Sequence, residues 1–91
     1  MSETLRRTAK IVNTKGLHAR AAAKLCKMAD QFNACVTVSK GDLQVSGSSI
    51  MGLLMLAAAQ GTEVHLETSG ADAENAMTAL FELIENGFDE D

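Results

Sequence analysis

Between residues 4 and 32 the hydrophobic period of this chain changes once, and the change falls at a glycine. Over residues 4–12, Leu5, Ala9 and Ile11 alternate loosely with Arg6, Thr8 and Lys10, the two-residue period of a half-buried strand. Asn13, Thr14, Lys15 and Gly16 then read as a loop. Residues 19–32 contain neither Gly nor Pro and read as a helix with Ala22, Leu25, Ala29 and Phe32 on its apolar stripe and Lys24, Lys27 and Gln31 off it. A strand that gives way to an amphipathic helix across one short loop favours a helix packed on a sheet, where both apolar sides leave water.

The rest of the chain repeats the alternation. Residues 35–39 and 43–46 are strand-like around Lys40-Gly41-Asp42, a link short enough for a hairpin. Ser48 or Ser49 can cap a short helix from Ile50 to about Ala59, with Gly61 closing it. Residues 63–68 form a fourth strand. Ser69-Gly70-Ala71-Asp72 supplies a turn and cap, and Ala73, Ala76, Leu80, Leu83 and Ile84 trace the apolar side of a last helix ending near Gly87. The order βαββαβα predicts an α+β two-layer sandwich with the helices on one sheet face.

Ninety-one residues hold one domain, expected over 1–91 with an ordered core at about 4–87 and an acidic tail at 88–91. Cys26 and Cys35 lack Cys-x-x-Cys spacing and read as reduced core or near-core thiols. No apolar run approaches the roughly 18 residues of a membrane span, and the N-terminus precedes no signal-like stretch, so a cytoplasmic protein without membrane insertion is expected. The net charge of −4 is unevenly spread. Basic residues fill the first third and acidic ones gather at the end, which suggests a bipolar surface able to steer an acidic partner or a phosphorylated group. With three Phe and no Tyr or Trp, stacking on bases is poorly supported and nucleic acid is not an expected ligand.

His18 sits where the glycine loop meets the helix, in Gly16-Leu17-His18-Ala19-Arg20. The first amides of a helix have no internal partners, and the helix dipole adds positive charge, so that end holds anions such as phosphate. An imidazole there is a nucleophile beside a phosphate cradle, and the forked guanidinium of Arg20 can meet phosphoryl oxygens. Taken alone, the pattern also fits an ordinary polar cap. His65 alternates with Val64 and Leu66, has no ligand spacing around it, and reads as a surface residue. No metal or cofactor is expected.

The short helix carries the second signal. Leu53 and Leu56 can face the core while Ile50, Met51 and Leu54 form a separate apolar arc, expected to meet solvent as a docking surface. Deep burial, or packing between two subunits, is the competing explanation.

With βαββαβα, Gly16-Leu17-His18-Ala19-Arg20 and Ser49-Ile50-Met51-Gly52 followed by leucines, the chain resembles the HPr family, the histidine-containing phosphocarriers of the bacterial phosphotransferase system. The resemblance spans about residues 4–87. It implies an open-faced β-sandwich, a four-stranded antiparallel sheet covered on one face by three helices. It further implies a carrier, not an enzyme, that accepts a phosphoryl group on Nδ1 of His18 from phospho-Enzyme I and yields it to IIA-type domains with the help of Arg20. Ser49 matches a regulatory serine modified in some members by an HPr kinase/phosphorylase. Partner contacts are expected at Ala19, Ala23, Lys27, Ile50, Met51 and Leu54, on a monomer. Ala21 stands where well-known members have proline, which leaves the helix start less rigid. The alternative reading is a regulatory module of a nitrogen- or carbon-control branch whose docking is switched by serine phosphorylation.

Overall fold

The structure, a computed structural model, describes residues 4–90. The ends of the expected domain, residues 1–3 and 91, lie outside the described residues. Strands β1 (Thr4–Lys10), β2 (Cys35–Lys40), β3 (Leu43–Ser46) and β4 (Glu63–Ser69) make one antiparallel sheet in the order β1-β4-β2-β3. Helices α1 (Ala19–Ala29), α2 (Ile50–Met55) and α3 (Ala73–Glu85) complete the expected open-faced sandwich.

The strand alternation decides which face is covered. On β4, Val64, Leu66 and Thr68 are buried while Glu63 and His65 are exposed. The register sets Ala9 opposite Val64 and Val38 opposite Leu66, so buried side chains from neighbouring strands share one layer. Leu25 from α1, Leu53 from α2 and Leu80 and Ile84 from α3, each fully buried, fill the space above it. Arg7 breaks the pattern of β1, lying exposed with its guanidinium 3.6 Å from the centre of the Phe81 ring. Thr68, buried at mid-core, satisfies its hydroxyl by donating to the Ala73 carbonyl at 2.8 Å.

Several element ends differ from the expected ones, each for a local reason. β1 stops at Lys10, although Ile11 stays buried and its amide donates to the Thr62 carbonyl. α1 ends at Ala29 because the chain tightens there: Gln31 donates to Met28 and Phe32 to Ala29, leaving Phe32 half-buried outside the helix. α2 ends at Met55, short of Ala59. Ala57 turns left-handed at φ 50°, and Lys40 Nζ donates to the freed carbonyls of Leu56 and Ala57 at 3.1 and 3.3 Å. Asp72 makes no cap for α3; its carboxylate instead accepts the Asn33 amide at 2.7 Å, tying the loop after α1 to the start of α3. Of the two thiols, Cys26 is buried and Cys35 is exposed, so only the first is a core residue.

The largest departure lies at the C-terminus. Beyond α3, Gly87, Phe88 and Asp89 form a 3-10 turn with φ of 66°, 58° and 61°, a left-handed run that places Phe88 fully in the core. The core thus extends past residue 87. Two consecutive non-glycine residues in this region cost roughly 1–2 kcal/mol each, so burial of the Phe88 ring must hold them there.

Candidate functional site

His18 is the N-cap of α1, in extended backbone at φ −85° and ψ −178°, and its carbonyl accepts the first helical bond from Ala22 at 2.8 Å. Its ring Nδ1 accepts from the Arg20 amide at 3.3 Å, a long cap bond that turns this nitrogen toward the open end of the helix. The preceding turn is fixed by packing. Gly16 has φ 67°, and a Cβ there would lie 2.6 Å from the Ala58 carbonyl oxygen, so glycine alone lets the loop press against the segment after α2. The Leu17 amide donates to that same oxygen at 2.9 Å. The histidine turn is therefore braced on the chain that leaves α2.

The other ring nitrogen meets the C-terminal strap. Nε2 lies 2.6 Å from Glu90 Oε2, while Asn13 Nδ2 donates to Glu90 Oε1 at 2.9 Å and to the Gly16 carbonyl at 2.8 Å. A carboxylate accepts and a backbone amide donates, so these partners match the tautomer with hydrogen on Nε2 and a lone pair on Nδ1. Hydrogen bonds from Asn13 and then from His18 hold the Glu90 carboxyl below its ordinary pKa. Lys24 Nζ donates to the Phe88 carbonyl at 2.7 Å and anchors the strap on α1. Asn13 is itself buried, and its Oδ1 has no donor among the described residues.

These groups surround a cleft of about 600 Å³ lined by Thr14, Lys15, His18, Ala19, Arg20, Lys24, Asp89 and Glu90. Arg20 is exposed at its rim and His18 half-buried. The expected separation of basic and acidic ends does not survive folding here, since Asp89 and Glu90 line the same cleft as Lys15, Arg20 and Lys24. Glu90 is the site residue that sequence reasoning passed over as tail. Its only signal was Phe88, an aromatic side chain in an otherwise polar end.

The other expected residues fall into two groups. Ala19, Ala23 and Lys27 are exposed along α1 at intervals of four, next to the cleft. On α2, Ile50 and Met51 are exposed, Met51 at 72 %, whereas Leu54 is half-buried against the core. Met55, 67 % exposed, belongs to the patch and was missed, although 100° per residue sets it on the same arc. Ser49 caps α2, its hydroxyl accepting from the Gly52 amide at 3.0 Å, while Ser48 is exposed. His65 lies on the uncovered sheet face, Nδ1 2.9 Å from the Thr8 hydroxyl and far in sequence from every cleft residue.

Residues 5–86 match the family model described as the PTS HPr component phosphorylation site. The chain belongs to the HPr family. The phosphocarrier protein HPr of Neisseria meningitidis serogroup A is 52 % identical over 86 residues, which cover 94 % of this chain and 97 % of that protein. Among solved structures, HPr-C-His from Thermoanaerobacter tengcongensis superposes with a TM-score of 0.91 at 40 % identity, covering 96 % of this chain and 98 % of the other. A second structure from the same organism, described as an HPr dimer, gives a TM-score of 0.76 at 42 % identity, covering 89 % and 93 %. Membership of this family supports a phosphocarrier role in the phosphotransferase system for the chain.

Proposed function

We propose that His18 is the carrying residue, taking a phosphoryl group on Nδ1 from phospho-Enzyme I and passing it to IIA-type domains. The observation that carries this reading is the orientation of the ring: Nδ1 lies at the free end of α1, where it accepts only a long bond from the Arg20 amide, while Nε2 is occupied by Glu90. In the forward step the Nδ1 lone pair forms the new N–P bond as the bond from phosphorus to the donor breaks, its electron pair leaving with the donor. The Arg20 amide, only loosely held at 3.3 Å, is then free to turn from Nδ1 to a phosphoryl oxygen. The guanidinium of Arg20 and the ammonium of Lys15, both on the cleft, supply opposite charge to the phosphoryl group. The partner enzymes supply the catalysis, so the protein acts as a carrier in the cytoplasm, and as a monomer.

Docking is assigned to the exposed surface formed by Ala19, Ala23 and Lys27 on α1 with Ile50, Met51 and Met55 on α2; Leu54 supports it from beneath. Apolar, adaptable methionines suit several partners in turn. Ser49, at the head of α2, is the proposed site for an HPr kinase/phosphorylase. A phosphate there would add about 1.5–2 negative charges beside the apolar patch and weaken docking without touching His18. Ser49 must first release the Gly52 amide.

Incubation with Enzyme I and phosphoenolpyruvate should introduce one acid-labile, base-stable phosphoryl group, absent in His18→Ala, which a purified IIA domain removes. Labelling that persists in His18→Ala refutes the assignment.

A further inference from the structure

We infer that Glu90, brought by the C-terminal turn to 2.6 Å from Nε2 of His18, is a positioning residue that keeps the ring protonated at Nε2 while Nδ1 carries its cargo. The inference rests on the reading of His18 as the phosphoryl acceptor. When the Nδ1 lone pair bonds to phosphorus, the Nε2 proton stays in place and the ring becomes a phospho-imidazolium cation. A carboxylate in contact with Nε2–H stabilises that charge as it forms, as the acid of a Ser-His-Asp triad does for its histidine. On the return step the N–P electron pair goes back to Nδ1 and neutral imidazole leaves. If Nε2 had lost its proton, imidazolate would have to leave, and transfer would slow. Glu90 thereby widens the pH range over which the cargo stays transferable.

The strap is built to hold this contact. Asn13 Nδ2 holds the second carboxylate oxygen, Lys24 Nζ holds the Phe88 carbonyl, and the buried Phe88 ring fixes a left-handed turn that the backbone would not adopt without it. Three features thus serve one carboxylate. The charged and titratable groups facing Glu90 are His18, Lys24 and, on its own turn, Asp89, with Lys15 and Arg20 across the cleft. Of these, only His18 touches its carboxylate.

The experiment phosphorylates wild type, Glu90→Gln and Glu82→Gln with Enzyme I and phosphoenolpyruvate, then follows the phosphohistidine by 31P and 15N NMR against pH. Glu82 is exposed on α3 and serves as a control for charge removal. In Glu90→Gln the phosphorylated ring should lose its Nε2 proton at a pH lower by about half to one unit. Its transfer to a IIA domain should slow several-fold on the alkaline side, with Glu82→Gln matching wild type in both. Wild-type behaviour in Glu90→Gln overturns the inference, as does an equal displacement in Glu82→Gln. Should Glu90→Gln fail to fold, 15N spectra of unphosphorylated wild type decide: hydrogen on Nε2 supports the assigned contact, and hydrogen on Nδ1 overturns it. Absence of label on wild-type His18 instead defeats the reading of His18 as acceptor, and is distinguishable because it needs no variant.

Discussion

Each nitrogen of His18 has a different neighbour, and this division makes a lone histidine specific. Nδ1 is held by a long helix-cap bond and Nε2 by a short bond to a carboxylate. Arg20 is exposed, so Arg20→Ala should slow phosphoryl transfer at least about tenfold while leaving stability within ±0.5 kcal/mol, the usual range for surface changes. Kinetics of transfer together with a denaturation curve check both halves. Gly16→Ala should do the reverse. Its Cβ collides with the Ala58 carbonyl and its backbone is left-handed, so urea unfolding should show a loss of about 1–3 kcal/mol. The placement of His18 and Arg20 at the head of α1 was legible because a helix start is local: a glycine loop, then an alanine run. The contact of Glu90 was not, because it closes over 72 residues of sequence, and no local pattern encodes that closure.

At the scale of elements, α2 joins the proposed docking surface to the histidine turn. Its outer face offers Ile50, Met51 and Met55, and the loop beyond it supplies the oxygen against which Gly16 and Leu17 pack. Met51→Asp should therefore weaken binding to Enzyme I and to IIA domains about tenfold or more without lowering Tm appreciably, since the side chain lies largely in water. Calorimetric titration with each partner measures it. The burial of Leu53 and Leu56 and the exposure of Ile50 and Met51 followed from helical arithmetic. The length of the helix did not, because Lys40, on another element, satisfies the carbonyls at which it stops. The strands were most readable where one sheet face is buried, as on β2 and β4; Arg7 breaks the alternation of β1, and β3 has no buried residue.

For the whole molecule, the C-terminal strap adds a wall to the cleft beside His18. Phe88→Ala should cost about 3–5 kcal/mol and lower Tm by roughly 15 °C or more, because the ring is fully buried and its loss also frees the left-handed turn. The strap should respond to acid in one direction. Glu90 is held below its ordinary pKa of 4.5, so its contribution is complete above that value and is lost as pH falls through the lowered one. Hydrogen exchange of the strap amides should stay slow, relative to their intrinsic rates, at pH 6 and become fast only below about pH 4.5.

All of this turns on which atom bears the cargo. Heteronuclear NMR of the protein phosphorylated from phosphoenolpyruvate through Enzyme I reads it directly from the coupling of 31P to the imidazole nitrogens. The expected spectrum shows phosphorus bonded to Nδ1 of His18, with hydrogen retained on Nε2. Phosphorus on Nε2, or on any other residue, would contradict it.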